Sequence, residues 1–108
     1  MRKQSIDHTQ LLLLGLLAGE DMYGYQIITE LSRRSNKVFE MKEGTLYPVL
    51  HALERAGCVE AYEQTAPTGR VRKYYHITLR GRGALAEEKQ AWEAYSGAIS
   101  AVLRFAGA

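Results

Sequence analysis

The sequence predicts a mainly α-helical domain with one small β-hairpin. Three observations predict it. Apolar residues recur at helical spacing along most of the chain. Ala66-Pro67-Thr68-Gly69 has hairpin-tip composition and separates two stretches that alternate like strands. The last helical stretch, from Thr78 to about Phe105, is longer than a small domain needs. A chain of 108 residues fits one domain and can bury a core. Its 24% charged residues are near the globular average, which argues against wholesale disorder. One cysteine, Cys58, excludes an intrachain disulfide and suits a reducing compartment. No apolar run can span a bilayer. Leu11 to Ala18 is short and has no small-residue cleavage site after it. A cytoplasmic protein with no membrane partner is therefore expected.

Taken in order, Met1 to Asp7 is a polar start, with Arg2 and Lys3, expected to fray. Asp7 or Thr9 is the candidate cap of a first helix ending near Ala18. Its centre, Leu11 to Leu17, is apolar on every side and needs burial all round. Gly19 ends it, and Glu20-Asp21 make a turn. A second helix is expected from Tyr23 or Gly24 to Arg34, with Ile27, Ile28 and Leu31 inward. Gly24 suits a close backbone approach by a neighbour. Val38 to Met41 alternates enough to predict a short strand.

The stretch Glu43 to Gly57 organises the rest. Leu46, Val49, Leu50 and Leu53 fall on one helical stripe, while Tyr47, His51 and Arg55 lie on the other face with Thr45 near the start. Pro48 places the helix start between Glu43 and Thr45, with Thr45 a candidate cap. Gly57 closes the helix in the left-handed conformation. Two strands follow, Cys58 to Thr65 and Val71 to Ile77. Thr78 caps the final helix. There Leu85, Trp92 and Ile99 repeat every seven residues, and Tyr95, Val102 and Leu103 broaden the stripe. That surplus surface predicts burial against a second chain. Gly81, Gly83 and Gly97 predict bends or a late start.

The net charge of +2 is bland, but its distribution is not. Arg70, Arg72, Lys73, Arg80 and Arg82 follow one another with no acid between them. Such a strip fits an anionic partner, or equally a solvated hairpin. Helix, helix, short strand, helix, hairpin and long helix is the order of a winged helix-turn-helix. A helix of this width fits the major groove of DNA, and a basic hairpin beside it pairs with phosphates. The expected division is a winged helix-turn-helix over residues 1–77 and a dimerisation helix over 78–108.

Several motifs carry a resemblance. Leu14-Gly15-Leu16-Leu17, Met22 to Ile27, Gly44 to Leu50, Leu53 to Gly57 and Gly69 to Thr78 together resemble the PadR family of bacterial transcriptional regulators. The similarity runs from about Leu11 to Leu103 and fits the small subgroup with one short C-terminal helix. It implies a homodimer joined through the last helix, a palindromic double-stranded DNA operator, and repression relieved by a small molecule or stress.

The resemblance places Thr45 and Tyr47 in the recognition helix, where their hydroxyls contact phosphates or bases. The plainer alternative is that Thr45 caps and Tyr47 packs. His51 lies one turn on, as a DNA contact or a solvated histidine. Arg70, Arg72 and Lys73 match the wing and supply phosphate contacts. Of Tyr74 and Tyr75, one is expected in the core and the other, Tyr74, near DNA. Arg33, Arg34 and Lys42 are weaker candidates.

Trp92 reads first as dimer packing. The alternative is an effector site for a planar aromatic molecule, as in small PadR-like regulators, with Glu88 and Ser96 orienting its polar group. No catalysis or cofactor is expected. His8, His51 and His76 are scattered, Cys58 has no histidine at motif spacing, and neither a phosphate loop nor a metal cluster is present. Cys58 reads as a small buried thiol rather than a redox sensor. The competing functions are a winged-helix module that binds protein instead of DNA, and a small-molecule carrier built on the dimer interface.

Overall fold

The computed structural model describes residues 8–105. The elements are α1 (His8–Leu17), β1 (Met22–Tyr23), α2 (Gly24–Arg34), α3 (Glu43–Arg55), β2 (Val59–Thr65), β3 (Val71–Ile77) and α4 (Leu79–Leu103). The cap proposed at Asp7 and the basic pair Arg2 and Lys3 lie outside the described residues.

The sheet is antiparallel, in the order β1-β3-β2. Val59 pairs with Ile77 and Thr65 with Val71 at the two ends of the hairpin, and Met22 and Tyr23 pair with Tyr75 and Tyr74. The third strand is therefore not Val38 to Met41, which is irregular. The free edge of β3 is taken by Met22–Tyr23, while Val38 and Phe39 are exposed. Alternation over four residues makes no strand without an edge to pair with.

One face of the sheet, with Met22, Val59, Tyr75 and Ile77, packs on Leu13, Leu14, Leu17, Ile27, Leu46, Leu50 and Leu53 of the helices. Alternation along β3 puts Arg72, Tyr74 and His76 on the opposite face. α1 buries four leucines but leaves Gly15 exposed, so its burial is not all round.

Local chemistry explains the joints. Gly57 has φ +79°, and Cys58 N–H donates to Leu53 O while Gly57 N–H donates to Glu54 O. This pair of bonds closes α3 in a Schellman motif. Thr78 Oγ1 accepts from Gly81 N at 3.0 Å and donates to Gly57 O at 2.6 Å, tying the start of α4 to the end of α3. α4 is one continuous helix despite its glycines. At Gly81 a Cβ would overlap the Cys58 carbonyl oxygen and crowd Ile77 Cγ1, so this glycine serves packing, not bending. Beyond its first turns α4 leaves the core, and the molecule extends 59 Å along its long axis.

Candidate nucleic-acid interface

α3 starts at Glu43, with Lys42 as its N-cap residue. Thr45 is thus the third residue of the helix and not its cap; its N–H donates to Lys42 O at 3.0 Å. The start at Glu43 lies within the range that Pro48 set, and Pro48, in the second turn, removes the helical bond to the Gly44 carbonyl. Leu46, Leu50 and Leu53 are buried, and Thr45, His51 and Arg55 are exposed.

Tyr47 is half-buried. A Cβ on Gly24 would overlap its hydroxyl, so the absence of a side chain at Gly24 lets this phenol pack against the start of α2. The Tyr47 and His51 rings lie 6.4 Å apart. Tyr47 therefore carries a packing role whatever else it touches.

The wing residues fall into two groups. The five-residue tip, 66–70, is closed by Ala66 N to Arg70 O at 2.7 Å and by Gly69 at φ +90°. Arg70 and Lys73 are exposed. Lys73 lies on the sheet face that packs against the helices, and Glu63 is its cross-strand neighbour. The hairpin as folded is thus not free of acids, although residues 70–82 are. Arg72 points to the other face, its guanidinium 4.3 Å from the centroid of the Tyr23 ring. Tyr74 lies there too, stacked on Tyr62 at 5.7 Å and edge-on to Tyr23 at 5.5 Å. Tyr75 is the core member of the tyrosine pair, fully buried, and burial raises its phenol pKa.

Sequence reasoning missed the knot at Asp21. Tyr62 donates to Asp21 Oδ2 at 2.6 Å, and His76 Nδ1 lies 2.8 Å from Asp21 Oδ1. Burial opposes the ionised carboxylate, but the bonds from Tyr62 and His76 and the charges of His76 and Arg82 outweigh it and lower the Asp21 pKa. Tyr62 is pushed up to about 12, chiefly by its bond to Asp21. No local pattern signals contacts 41 and 55 residues apart. Arg33 and Arg34 both bind Glu30, and those bonds hold its carboxyl at about 2. They read as a solvated ion-pair cluster. Lys42 is exposed.

Trp92 is 44% exposed and meets His8 edge-on, with ring centroids 5.2 Å apart. His8, Leu11, Leu12, Phe39 and Trp92 line an apolar pocket of about 160 Å³. Glu88 and Ser96 are not in its lining, and the Ser96 hydroxyl turns back to Glu93 O at 3.4 Å. The pocket's polar group is His8. Tyr95, Ile99, Val102 and Leu103 continue the exposed apolar stripe down α4. Cys58 is buried. Among the described residues no helix is long and apolar enough to cross a membrane, and no three or more His, Cys, Asp or Glu side chains could hold a metal ion.

Three helices carrying a small antiparallel sheet, with a hairpin beside α3, define a winged helix-turn-helix. Residues 13–87 match the PadR-like family of transcriptional regulators. The chain is 38% identical over 93 residues to a transcriptional regulator of Mycobacterium tuberculosis, covering 86% of this chain and 83% of that protein. A PadR-like regulator from Bacillus cereus superposes with a TM-score of 0.79 at 30% identity, covering 88% of this chain and 90% of the other. A PadR-family regulator from Clostridium difficile gives 0.78 at 29%, covering 90% and 99%. The chain belongs to the PadR-like family of transcriptional regulators.

Proposed function

We propose that this regulator binds a palindromic DNA operator as a cytoplasmic homodimer and represses transcription until a flat aromatic effector binds. The observation that carries the reading is the division of α3: Leu46, Leu50 and Leu53 are buried, Thr45 and His51 are exposed, and the adjoining hairpin exposes Arg70 and Lys73. In this reading residues 1–77 read DNA and residues 78–108 hold two copies together. Thr45 and His51 face the groove, and Tyr47 presents α3 through Gly24 while its rim reaches a phosphate. Arg70 and Lys73 contact phosphates directly. Arg72 and Tyr74 act more by stiffening the wing, since Tyr23 and Tyr62 engage them. The exposed stripe of α4 supplies the dimer surface, and the Trp92 pocket takes the effector.

The test is operator affinity of the full chain, on DNA upstream of its own gene, across a salt series. Removing one cation that pairs with a phosphate reduces the slope of log affinity against log salt by about 0.9. Arg70→Ala with Lys73→Ala is expected to lower the slope by about two and to weaken all sequences alike. An unchanged slope removes the wing from the interface. A chain that retains no DNA at low salt favours a protein-binding module.

A further inference from the structure

The connection between α2 and α3 is held at both ends and carries an aromatic residue in its middle. At the α2 end, Ser35 Oγ donates to Leu31 O at 2.7 Å and accepts from Phe39 N at 3.0 Å, and Lys37 N donates to Ser32 O at 2.7 Å. Asn36 and Lys37 both take left-handed backbone conformations, with φ of 53° and 66°. That conformation costs a side-chain-bearing residue free energy and persists only where its surroundings demand it. At the other end Met41 packs on the core, and the Lys42 carbonyl accepts from Thr45 N and Leu46 N, starting α3. Between these anchors the chain is neither helix nor strand.

Phe39 lines three neighbouring cavities, two of which lead from Trp92 toward α3. On one side it lines the Trp92 pocket with His8, Leu11 and Leu12. On the other, with Met41, it walls a cavity of about 280 Å³ that ends at Thr45. His8 and Leu12 line both. Phe39 is 45% exposed and lies outside the core, so it is held in place by these neighbours and the strap itself. A ligand seated on Trp92 must pack against or displace Phe39. A ring displaced there pulls on a short tether whose far end is the N-cap of α3.

We propose that residues 38–42 form a strap that reads occupancy of the Trp92 pocket by a flat aromatic molecule, through Phe39, and passes it to the first turn of α3. The link to DNA release rests on the assignment of α3 as the DNA-facing helix; the mechanical link does not. Thr45 is both a wall of the second cavity and an exposed residue of α3, so a shift of the strap moves a residue that the operator contacts. The ligand's own contacts are with Phe39, His8 and Trp92, and it needs none with α3. Coupling of this kind requires one element with two arrangements, each favoured by a different ligand.

The test uses the full chain without DNA, with naphthalene-1-sulfonate as the flat aromatic probe. Lys89 lines a neighbouring cavity of about 510 Å³ that Trp92 and Phe39 also line, and its cation suits the sulfonate. Amide and indole NMR signals are followed through a titration. The expected result is that the Trp92 indole and the Gly44, Thr45 and Leu46 amides shift together with one midpoint. Inserting two glycines between Glu40 and Met41 slackens the strap and leaves the pocket intact. In that variant the Trp92 indole still shifts and the three amides stay in place. Phe39→Ala, which removes the strap's aromatic contact from outside the core, is expected to abolish the amide shifts in the same way. Amides that move equally in wild type and variants overturn the strap. So do a Trp92 signal that saturates while the amides stand still in wild type, and a Trp92 signal that ignores the probe. Failure of DNA binding, measured separately, would leave these shifts unaffected.

Discussion

At the scale of single residues, the two tyrosines that follow one another in β3 show how an alternating backbone divides one residue type between two roles. Tyr74 lies half-exposed between Tyr62 and Tyr23, while Tyr75 fills the core with its hydroxyl buried and, among the described residues, unpartnered. A buried hydroxyl without a partner costs about 1–3 kcal/mol. Tyr75→Phe keeps the ring and removes that cost. Thermal unfolding is expected to show an unchanged or higher midpoint, by roughly 4–8 °C per kcal/mol recovered in a domain of this size. A clear fall in the midpoint would mean that the hydroxyl is satisfied in solution. The need for a core tyrosine was legible from alternation, and with Tyr74 expected on the DNA side the core position fell to Tyr75, which is buried. Gly24 was legible as a close approach, though its partner, the Tyr47 hydroxyl, was not. Thr45 was misplaced as a cap because the pattern around Pro48 tolerates a start up to three residues earlier.

At the scale of elements, the wing is tied down at its base more than its charge pattern suggests. Asp21, in the turn before β1, bonds Tyr62 of β2 and His76 of β3. Its folded pKa is lowered, so the stability it adds is complete above the ordinary carboxylate value of about 3.9 and is lost as pH falls through the folded value. Asp21→Asn is therefore expected to lower the unfolding midpoint at pH 7, with the gap to wild type closing below about pH 4. Alkaline titration gives a second reading: Tyr62, held at about 12, falls back toward about 10 in the variant. A gap that stays constant into acid, or an unmoved phenol, contradicts the role of the Asp21 bonds. α3, its closure at Gly57 and the Thr78 cap were legible because helix periodicity and caps act within a few residues. β1 was not, since two residues have no period to read and their strand character exists only through β3.

At the scale of the whole molecule, α4 sets the question. Nearly all of its length beyond Leu85 is exposed, yet it carries Trp92, Tyr95, Ile99, Val102 and Leu103. An apolar stripe of that length is a surface built to be covered. The heptad made the stripe legible. The pocket at its inner end was hidden, because His8 and Phe39 reach Trp92 from elements distant in sequence. The acid-free run from Arg70 to Arg82 likewise said nothing of Glu63, which the hairpin brings opposite Lys73. The central claim is that two copies, joined through α4, present α3 and the wing to one face of a DNA duplex. Hydroxyl-radical footprinting of the full chain on the DNA upstream of its own gene tests it most directly. Two protected patches on one face of the duplex, with centres about 10 base pairs or a multiple apart, are the expected result. A single patch, or uniform protection without spacing, would contradict it.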